Sequence, residues 1–275
     1  MRWRALTAVP MIAAAVLTLS PPVASLELAS PALPNSMAAM GDSITQAVNV
    51  CCWYGNHPGK SWSTGYESDS IASHYERILG GNPAIAGNAY NDSVSGANMA
   101  DAAGQAAEAV SQQAEYVTIL MGANDACTSS PETMTPVDQF RSQFEAAMAT
   151  LASGLPPDAD VFVASIPNIY RLWQILHTDP LAQAVWWAAQ ICQSMLSPFN
   201  TEEDRLQVLR QVKAYNTVLA QICGQYTNCR FDRRAVFKYR FTTDQVSSLD
   251  FFHPSVDGQS ALASVTWARS WWPGT

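Results

Sequence analysis

Three short groups of residues, far apart in the chain, carry side chains that could together perform acyl transfer. The first is Gly-Asp-Ser at 41–43, and the second is Gly-Ala-Asn at 122–124, directly after the apolar run 116–121. The third is Asp-Phe-Phe-His at 250–253, near the C-terminus. A serine nucleophile needs a base, the base needs an orienting group, and the developing oxyanion needs hydrogen-bond donors. The three groups supply a candidate for each of these roles.

Within these groups, Ser43 is the predicted nucleophile and His253 is its base. Of the other three histidines, His57 and His74 precede any strong strand-end context, and His177 lies in a tryptophan-rich insertion. Asp250 stands three residues before His253, a spacing that in a turn brings its carboxylate to Nδ1 of the imidazole. Because His253 must be neutral to accept a proton, activity should rise with pH as the imidazole loses its charge.

The order of these groups resembles that of the GDSL, or SGNH, hydrolase family. The resemblance covers most of residues 36–270 and includes a further block, Ser-Val-Ser-Gly-Ala-Asn at 93–98. It differs from the family name only in having Ile44 in place of Leu. The resemblance implies three oxyanion donors, which are the backbone N–H of Ser43, the backbone N–H of Gly96 and the side-chain amide of Asn124. It also leaves open a Ser-His dyad in which a backbone carbonyl replaces Asp250.

The elements that must position these residues alternate between strand and helix. Apolar runs and helical periodicity predict strands over 38–41, 84–89, 116–121, 161–166 and 230–232, and helices over 68–79, 98–113, 137–151, 206–222 and 256–271. Such alternation predicts an α/β protein with a parallel sheet, whose sites lie outside the carboxyl ends of the strands. The family resemblance narrows this to a flavodoxin-like, three-layer α/β/α sandwich with about five strands.

The N-terminus has the pattern of an export signal. Two arginines precede an apolar run over 5–19, and small residues follow at 21–25. We therefore expect a signal peptide over 1–25, a loose lead-in over 26–35, a single domain over 36–275, and a secreted protein. An uncleaved anchor is the alternative, although the run is shorter than a spanning helix needs.

Charge and composition restrict the partners. A formal net charge of -8 and a pI near 4.9 leave no basic stripe for nucleic acid. We expect a small-molecule or lipid ester as substrate and no stable membrane insertion. The chain shows neither a phosphate-binding glycine loop nor a calcium-loop spacing, so we expect no cofactor. The sequence indicates no oligomeric state, and a monomer is the default.

Six cysteines are consistent with disulfides in an exported protein. Cys223 and Cys229 are close enough to close a small loop, and Cys127 with Cys192 would attach a long insertion to the site. Cys51 and Cys52 are adjacent, so they form a vicinal bridge or pair elsewhere. No Cys-x-x-Cys or His-x-x-x-His spacing supports the rival interpretation of a metal site.

The substrate is suggested by two aromatic segments. Residues 169–199 form an apolar insertion, which is either an acyl-chain groove or lid, or an ordinary buried pair of helices. A second aromatic set follows Ser43 and suits sugar stacking or a cover over the acyl pocket. The predicted substrate contacts are Trp53, Trp62, Tyr170 and Trp173.

Four kinds of function fit these observations. The first is a serine hydrolase that cleaves carboxylic esters through an acyl-enzyme on Ser43, as a lipase, phospholipase or general carboxylesterase. The second is a carbohydrate esterase that removes acetyl groups from a polysaccharide. An acyltransferase would use the same residues, and an inactive binding module on the same fold is the remaining alternative.

Overall fold

The computed structural model describes residues 32–67 and 71–274, together with the isolated positions 1, 3 and 5. A boundary between residues 30 and 31 divides the chain into two units, and every element below belongs to the second. The predicted signal peptide over 1–25 therefore lies outside the described residues, apart from those three positions. Residues 32–35 of the predicted lead-in are held by Asn82, whose Nδ2 donates to the carbonyls of Leu33 and Pro34 at 3.1 and 3.0 Å.

A five-stranded parallel sheet forms the centre of the domain, as predicted. Its strands are β1 (Met37–Gly41), β2 (Ala89–Asn91), β3 (Tyr116–Leu120), β4 (Asp160–Val163) and β5 (Cys229–Phe231). They lie in the order β2-β1-β3-β4-β5, and every adjacent pair is parallel. The chain order reverses direction between β1 and β3, which is the position where such sheets open a crevice for ligands.

The helices that flank the sheet vary widely in length. They are α1 (His74–Gly81), α2 (Ala102–Ser111), α3 (Ala123–Ala126), α4 (Val137–Gly154), α5 (Ile169–Leu176), α6 (Pro180–Ala188), α7 (Gln193–Leu196), α8 (Glu202–Cys223), α9 (Ala235–Lys238) and α10 (Val256–Trp267). Among the described residues, none of the helices is long and apolar enough to cross a membrane.

Helices α2, α4 and α8 pack side by side, and α1 and α10 meet through a buried histidine. Phe140 of α4 stacks on Tyr215 of α8 with ring centroids 4.2 Å apart. On the other side, the two ring nitrogens of His74 contact the Tyr116 hydroxyl at 2.9 Å and Thr266 Oγ1 at 2.8 Å. Burial lowers the pKa of His74 to about 3, so this imidazole is neutral at the centre of the packing.

Several predicted boundaries differ from those in the structure. The second strand is not 84–89, because Pro83–Ile85 forms a 3₁₀ turn capped by Asn82 and the strand begins only at Ala89. The first helix begins at His74, because Ser73 and Glu76 form a capping box there, and residues 68–70 of the predicted helix lie outside the described residues. The last helix ends at Trp267 instead of residue 271.

The structure contains three disulfides. They join Cys51 to Cys52, Cys127 to Cys192 and Cys223 to Cys229. The second attaches the segment before α7 to the end of α3. Ser194 reinforces that attachment, since its backbone N–H donates to the Thr128 carbonyl at 2.8 Å and its hydroxyl donates to the Ala126 carbonyl at 2.6 Å.

Candidate active site

Ser43 lies on a tight turn directly after β1. Gly41 is required at the strand end, because a Cβ there would lie 2.4 Å from Thr45 Oγ1 and 2.8 Å from the Leu120 carbonyl of β3. The buried Gln105 side chain holds Gly41 by two hydrogen bonds, accepting from its N–H at 2.7 Å and donating to its carbonyl at 2.9 Å. Both the N–H and the carbonyl of Gly41, at the end of the strand that leads to Ser43, are therefore held in place.

Asp42 shapes the same turn and places a carboxyl group beneath it. Its Oδ1 accepts from the Ile44 N–H at 2.9 Å, and its carbonyl accepts from the N–H groups of Thr45 and Gln46. Full burial raises the pKa of Asp42 to about 6. Its Oδ2 has no hydrogen-bond partner among the described residues. Asp42 also interacts electrostatically with the imidazole of His253.

The predicted nucleophile, base and orienting carboxylate form a continuous hydrogen-bonded series. His253 Nε2 lies 2.8 Å from Ser43 Oγ, and His253 Nδ1 lies 2.6 Å from Asp250 Oδ2. A carboxylate can only accept at Nδ1, so Nδ1 carries the proton and Nε2 accepts from the serine hydroxyl. Among the described residues, the structure thus places the Asp250 carboxylate against the second nitrogen of His253.

The loop that carries Asp250 and His253 is closed on itself. The Ser247 N–H donates to the His253 carbonyl at 2.8 Å, and the Phe251 N–H donates to the Ser247 carbonyl at 2.9 Å. Phe251 has a φ of 57°, a left-handed conformation that turns the chain between the two side chains. The indole N–H of Trp186 in α6 donates to the Phe251 carbonyl at 2.9 Å, so the apolar insertion supports this loop.

The Asp250 carboxylate is surrounded by donors. Its Oδ1 accepts from the backbone N–H groups of Phe252 and His253 at 2.9 and 3.0 Å. Its Oδ2 accepts from His253 and also from Asn49 Nδ2, each at 2.6 Å. Burial opposes ionisation, but the bond and charge of His253, the Asn49 amide and the backbone donors outweigh it and lower the pKa of Asp250.

The three predicted oxyanion donors follow the carboxyl ends of β1, β2 and β3, with Asn124 in the first turn of α3. Asn124 Nδ2 donates to the Ala97 carbonyl at 2.8 Å, which ties the Asn124 side chain to the loop of Gly96 and leaves its second N–H for another acceptor. Gly96 has a φ of 84° and Gly122, at the start of the Asn124 turn, has a φ of 116°. The backbone N–H groups of Ser43 and Gly96 donate to no described residue.

A mostly apolar pocket opens beside His253. About 620 Å³ of empty space lies within its bounds, and part of this space is open solvent. Its apolar walls come from the Ser43 turn, α3, the α5 segment and the loop before His253, and include Ile44, Ala123, Ile169, Leu172, Ile175, Phe241, Val246 and Phe252. Asn168, Arg171 and Gln245 add polar groups at its edge.

Comparison with known proteins gives the family. The sequence pattern of GDSL-like lipases and acylhydrolases matches residues 37–265. The chain belongs to this GDSL-like lipase/acylhydrolase family. Its members are ester hydrolases.

Solved structures share the fold of this GDSL-family chain. An acetyl xylan esterase, AlAXEase, matches with a TM-score of 0.51 and 16% identity, covering 84% of this chain and 98% of its own. An extracellular lipase from Streptomyces rimosus matches with a TM-score of 0.51 and 14% identity, covering 86% and 99%. At these identities the likeness shows the fold. No curated protein matches the sequence.

The predicted substrate contacts do not line the pocket of this GDSL-family chain. Trp62 is fully buried and its indole N–H contacts Thr45 Oγ1 at 3.2 Å, so its prediction as a substrate contact is wrong. Trp53 is 65% exposed on the loop after Ser43. Tyr170 bonds Glu202, and the guanidinium of Arg205 lies 3.6 Å from the centre of the Trp173 ring. Leu172 and Ile175 of the same helix line the pocket, whereas Tyr170 and Trp173 contact Glu202 and Arg205 of α8.

Several site residues carry no signal in the sequence. Asn49 and Gln105 belong to no motif, and their contacts join residues 201 and 64 positions apart. Phe241 and Val246 are ordinary apolar residues in a region without periodicity. Helical periodicity within the insertion could have selected Leu172 and Ile175. In the described part of the chain, no group of three or more His, Cys, Asp or Glu residues could hold a metal ion.

Proposed function

We propose that this chain is a secreted serine hydrolase that cleaves carboxylic esters with apolar acyl groups, as a lipase or general carboxylesterase. One observation carries the proposal: the hydrogen-bonded series Asp250, His253 and Ser43 includes His253, which lines the apolar pocket next to Ile44 of the Ser43 turn. The expected signal peptide and three disulfides support an exported protein.

The reaction would follow from the positions of the protons. His253 Nε2 accepts the proton of Ser43 Oγ while Oγ attacks the ester carbonyl carbon, and Asp250 stabilises the imidazolium that forms. The imidazolium then gives this proton to the departing alcohol, leaving an acyl-enzyme on Ser43. Water then loses a proton to Nε2 as it attacks the acyl carbon. The imidazolium returns this proton to Ser43 Oγ as the bond between Oγ and the acyl carbon breaks, and the carboxylic acid is released.

The oxyanion of each tetrahedral intermediate would lie among the N–H groups of Ser43, Gly96 and Asn124. These donors are fixed before substrate arrives, since Asn124 is held on Ala97 and the Ser43 turn is held by Asp42 and Gln105. Donors that need no rearrangement stabilise the developing charge most effectively. The apolar pocket would receive the acyl chain, because its walls have little to offer a sugar hydroxyl.

Hydrolysis of p-nitrophenyl esters from acetyl to palmitoyl tests the proposal. We expect activity that extends beyond acetyl and disappears in Ser43→Ala. Leu172→Trp, which fills the pocket, should reduce activity on long chains more than on acetyl. Leu181→Trp is the matched control, because Leu181 belongs to the same insertion but is 60% exposed outside the pocket. Equal chain-length profiles for the two variants would contradict the acyl assignment.

A carbohydrate acetyl esterase is the second candidate. The observation that favours it is the exposed aromatic surface after Ser43, where Trp53 is 65% and Tyr66 is 63% exposed. Stiff, exposed rings of this kind suit stacking on sugars. Wild-type activity confined to acetyl esters, together with release of acetate from an acetylated polysaccharide, would favour this candidate over the first.

A further inference from the structure

Asn49 lies on the loop after the Ser43 turn and reaches the orienting carboxylate of the site. Its Nδ2 donates to Asp250 Oδ2 at 2.6 Å, and its Oδ1 accepts from the Gly55 N–H at 2.8 Å. The first contact requires a donor and the second an acceptor, so the two together fix the orientation of the amide. Both ends of the Asn49 side chain are therefore used.

Asp250 Oδ2 has two side-chain donors, Asn49 and His253. The Oδ1 donors, by contrast, are backbone N–H groups of the Asp250 loop itself. Among these four donors, Asn49 alone comes from outside the loop. Removing it would leave Oδ2 with the His253 imidazole as its one donor, and no donor from outside the loop would hold Oδ2 in place.

The loop around Asn49 is built to hold this amide still. The Asn49 N–H donates to the Gly55 carbonyl at 2.8 Å, which closes residues 49–55 into a ring that contains the Cys51–Cys52 disulfide. Asn49 has a φ of 53°, a conformation that asparagine tolerates better than most residues. The Ser247 hydroxyl also donates to the Asn49 carbonyl, so the ring is docked on the Asp250 loop.

We infer that Asn49 is a positioning residue for the proposed reaction, which holds Asp250 Oδ2 in line with His253 Nδ1. The inference rests on the proposed function for its effect on turnover. The orientation of Asp250 against His253, by contrast, does not depend on which substrate the protein uses.

The sharpest variant is Asn49→Asp. Aspartate has nearly the same size, tolerates the left-handed backbone and can still accept from the Gly55 N–H. An oxygen, however, replaces the amide nitrogen that donates to Asp250. We expect kcat to fall roughly ten- to a hundredfold with KM changed less than about twofold, since a donor to a charged group is lost. The acid limb of the pH–rate profile should move to higher pH, because added negative charge favours the imidazolium.

Two native carboxyl groups also face the His253 imidazole, and both must be the same in all the proteins that are compared. They are Asp250 itself and the buried Asp42, and both remain in the variant. Asn56→Asp is the matched control. It adds the same charge in the same stretch of chain, at an exposed position that contacts Ser95 and does not contact Asp250. We expect its kcat and pH profile to stay within about twofold of the wild type, because the Asp250 donors are unchanged.

The Nδ1 proton of His253 gives a readout that does not depend on turnover. Its low-field proton NMR resonance should be present in the wild type and in Asn56→Asp, and it should shift or disappear in Asn49→Asp. If the resonance shifts in Asn49→Asp but the wild type shows no Ser43-dependent hydrolysis, the positioning role of Asn49 stands and the proposed function is wrong. Wild-type kcat, pH profile and Nδ1 resonance in Asn49→Asp would overturn the inference.

Discussion

Asn124 shows how one side chain is prepared for a charge that is not yet present. One of its two amide hydrogens is committed to the Ala97 carbonyl at 2.8 Å, which fixes the direction of the other. Ala97 follows Gly96, so the same bond also ties two of the proposed oxyanion donors to each other. In this account Asn124 acts in the transition state and contributes little to the stability of the fold.

Replacing Asn124 with alanine should reduce kcat by roughly 10²–10³, because an oxyanion donor is worth about 2.7–4 kcal/mol in the barrier. The melting temperature should change little. Asn228→Ala is a suitable control, since it removes a comparable amide-to-carbonyl bond of 2.7 Å, to Ala159, at the opposite end of the sheet. Turnover near the wild-type level in Asn124→Ala would contradict its role as a donor.

How far the site was predictable depends on the kind of signal each residue carries. Ser43 and Asn124 follow strands, and Asp250 and His253 are separated by a spacing that a turn can close, so local spacing sufficed. Asn49 could not be found in this way. Its contact with Asp250 spans 201 positions and depends on a left-handed residue in a closed loop.

The elements were predictable where they are apolar over their full length. β1 and β3 are buried at every position, and their runs of apolar residues were visible in the sequence. β2 has only the three residues Ala-Tyr-Asn, all of them partly exposed, and was therefore misplaced. Trp62 and Leu172 are both apolar, and only the packing of the folded chain determines that the first is core and the second is pocket wall.

The disulfide between α3 and the insertion should contribute more to stability than the one after α8. Cys127 and Cys192 are 65 positions apart, whereas Cys223 and Cys229 are 6 apart. In the chain-entropy account, closing loops of these lengths is worth about 4 and about 2 kcal/mol respectively. Replacing each pair by alanine and measuring urea unfolding should show that difference. Equal losses, or a larger loss for the shorter loop, would contradict it.

Across the whole molecule, the neutral His74 makes stability depend on pH. Its pKa is lowered to about 3 in the folded state, against 6.5 for the ordinary side chain. The unfolded chain therefore binds this proton first, so the stability that neutral His74 contributes is complete above pH 6.5 and is lost as the pH falls towards 3. Asp42 and Asp125, whose pKa values burial raises to about 6, act in the opposite direction.

Comparison with His74→Gln separates these effects, since the carboxyl groups are common to both proteins. Between about pH 7 and about pH 5 the wild type should lose about 2 kcal/mol more unfolding free energy than the variant, because only the unfolded chain takes up the His74 proton in this range. Urea unfolding at the two pH values measures it. The same pH dependence in both proteins would mean that His74 does not titrate as a buried group.

The most direct test of the account is covalent trapping of the nucleophile. The wild-type protein would be treated with an alkyl fluorophosphonate and digested, and the modified peptide located by mass spectrometry. The account predicts one label per chain, on Ser43, with ester hydrolysis lost in proportion, and no label in Ser43→Ala. A label on another residue, or full hydrolysis after Ser43 is modified, would contradict it.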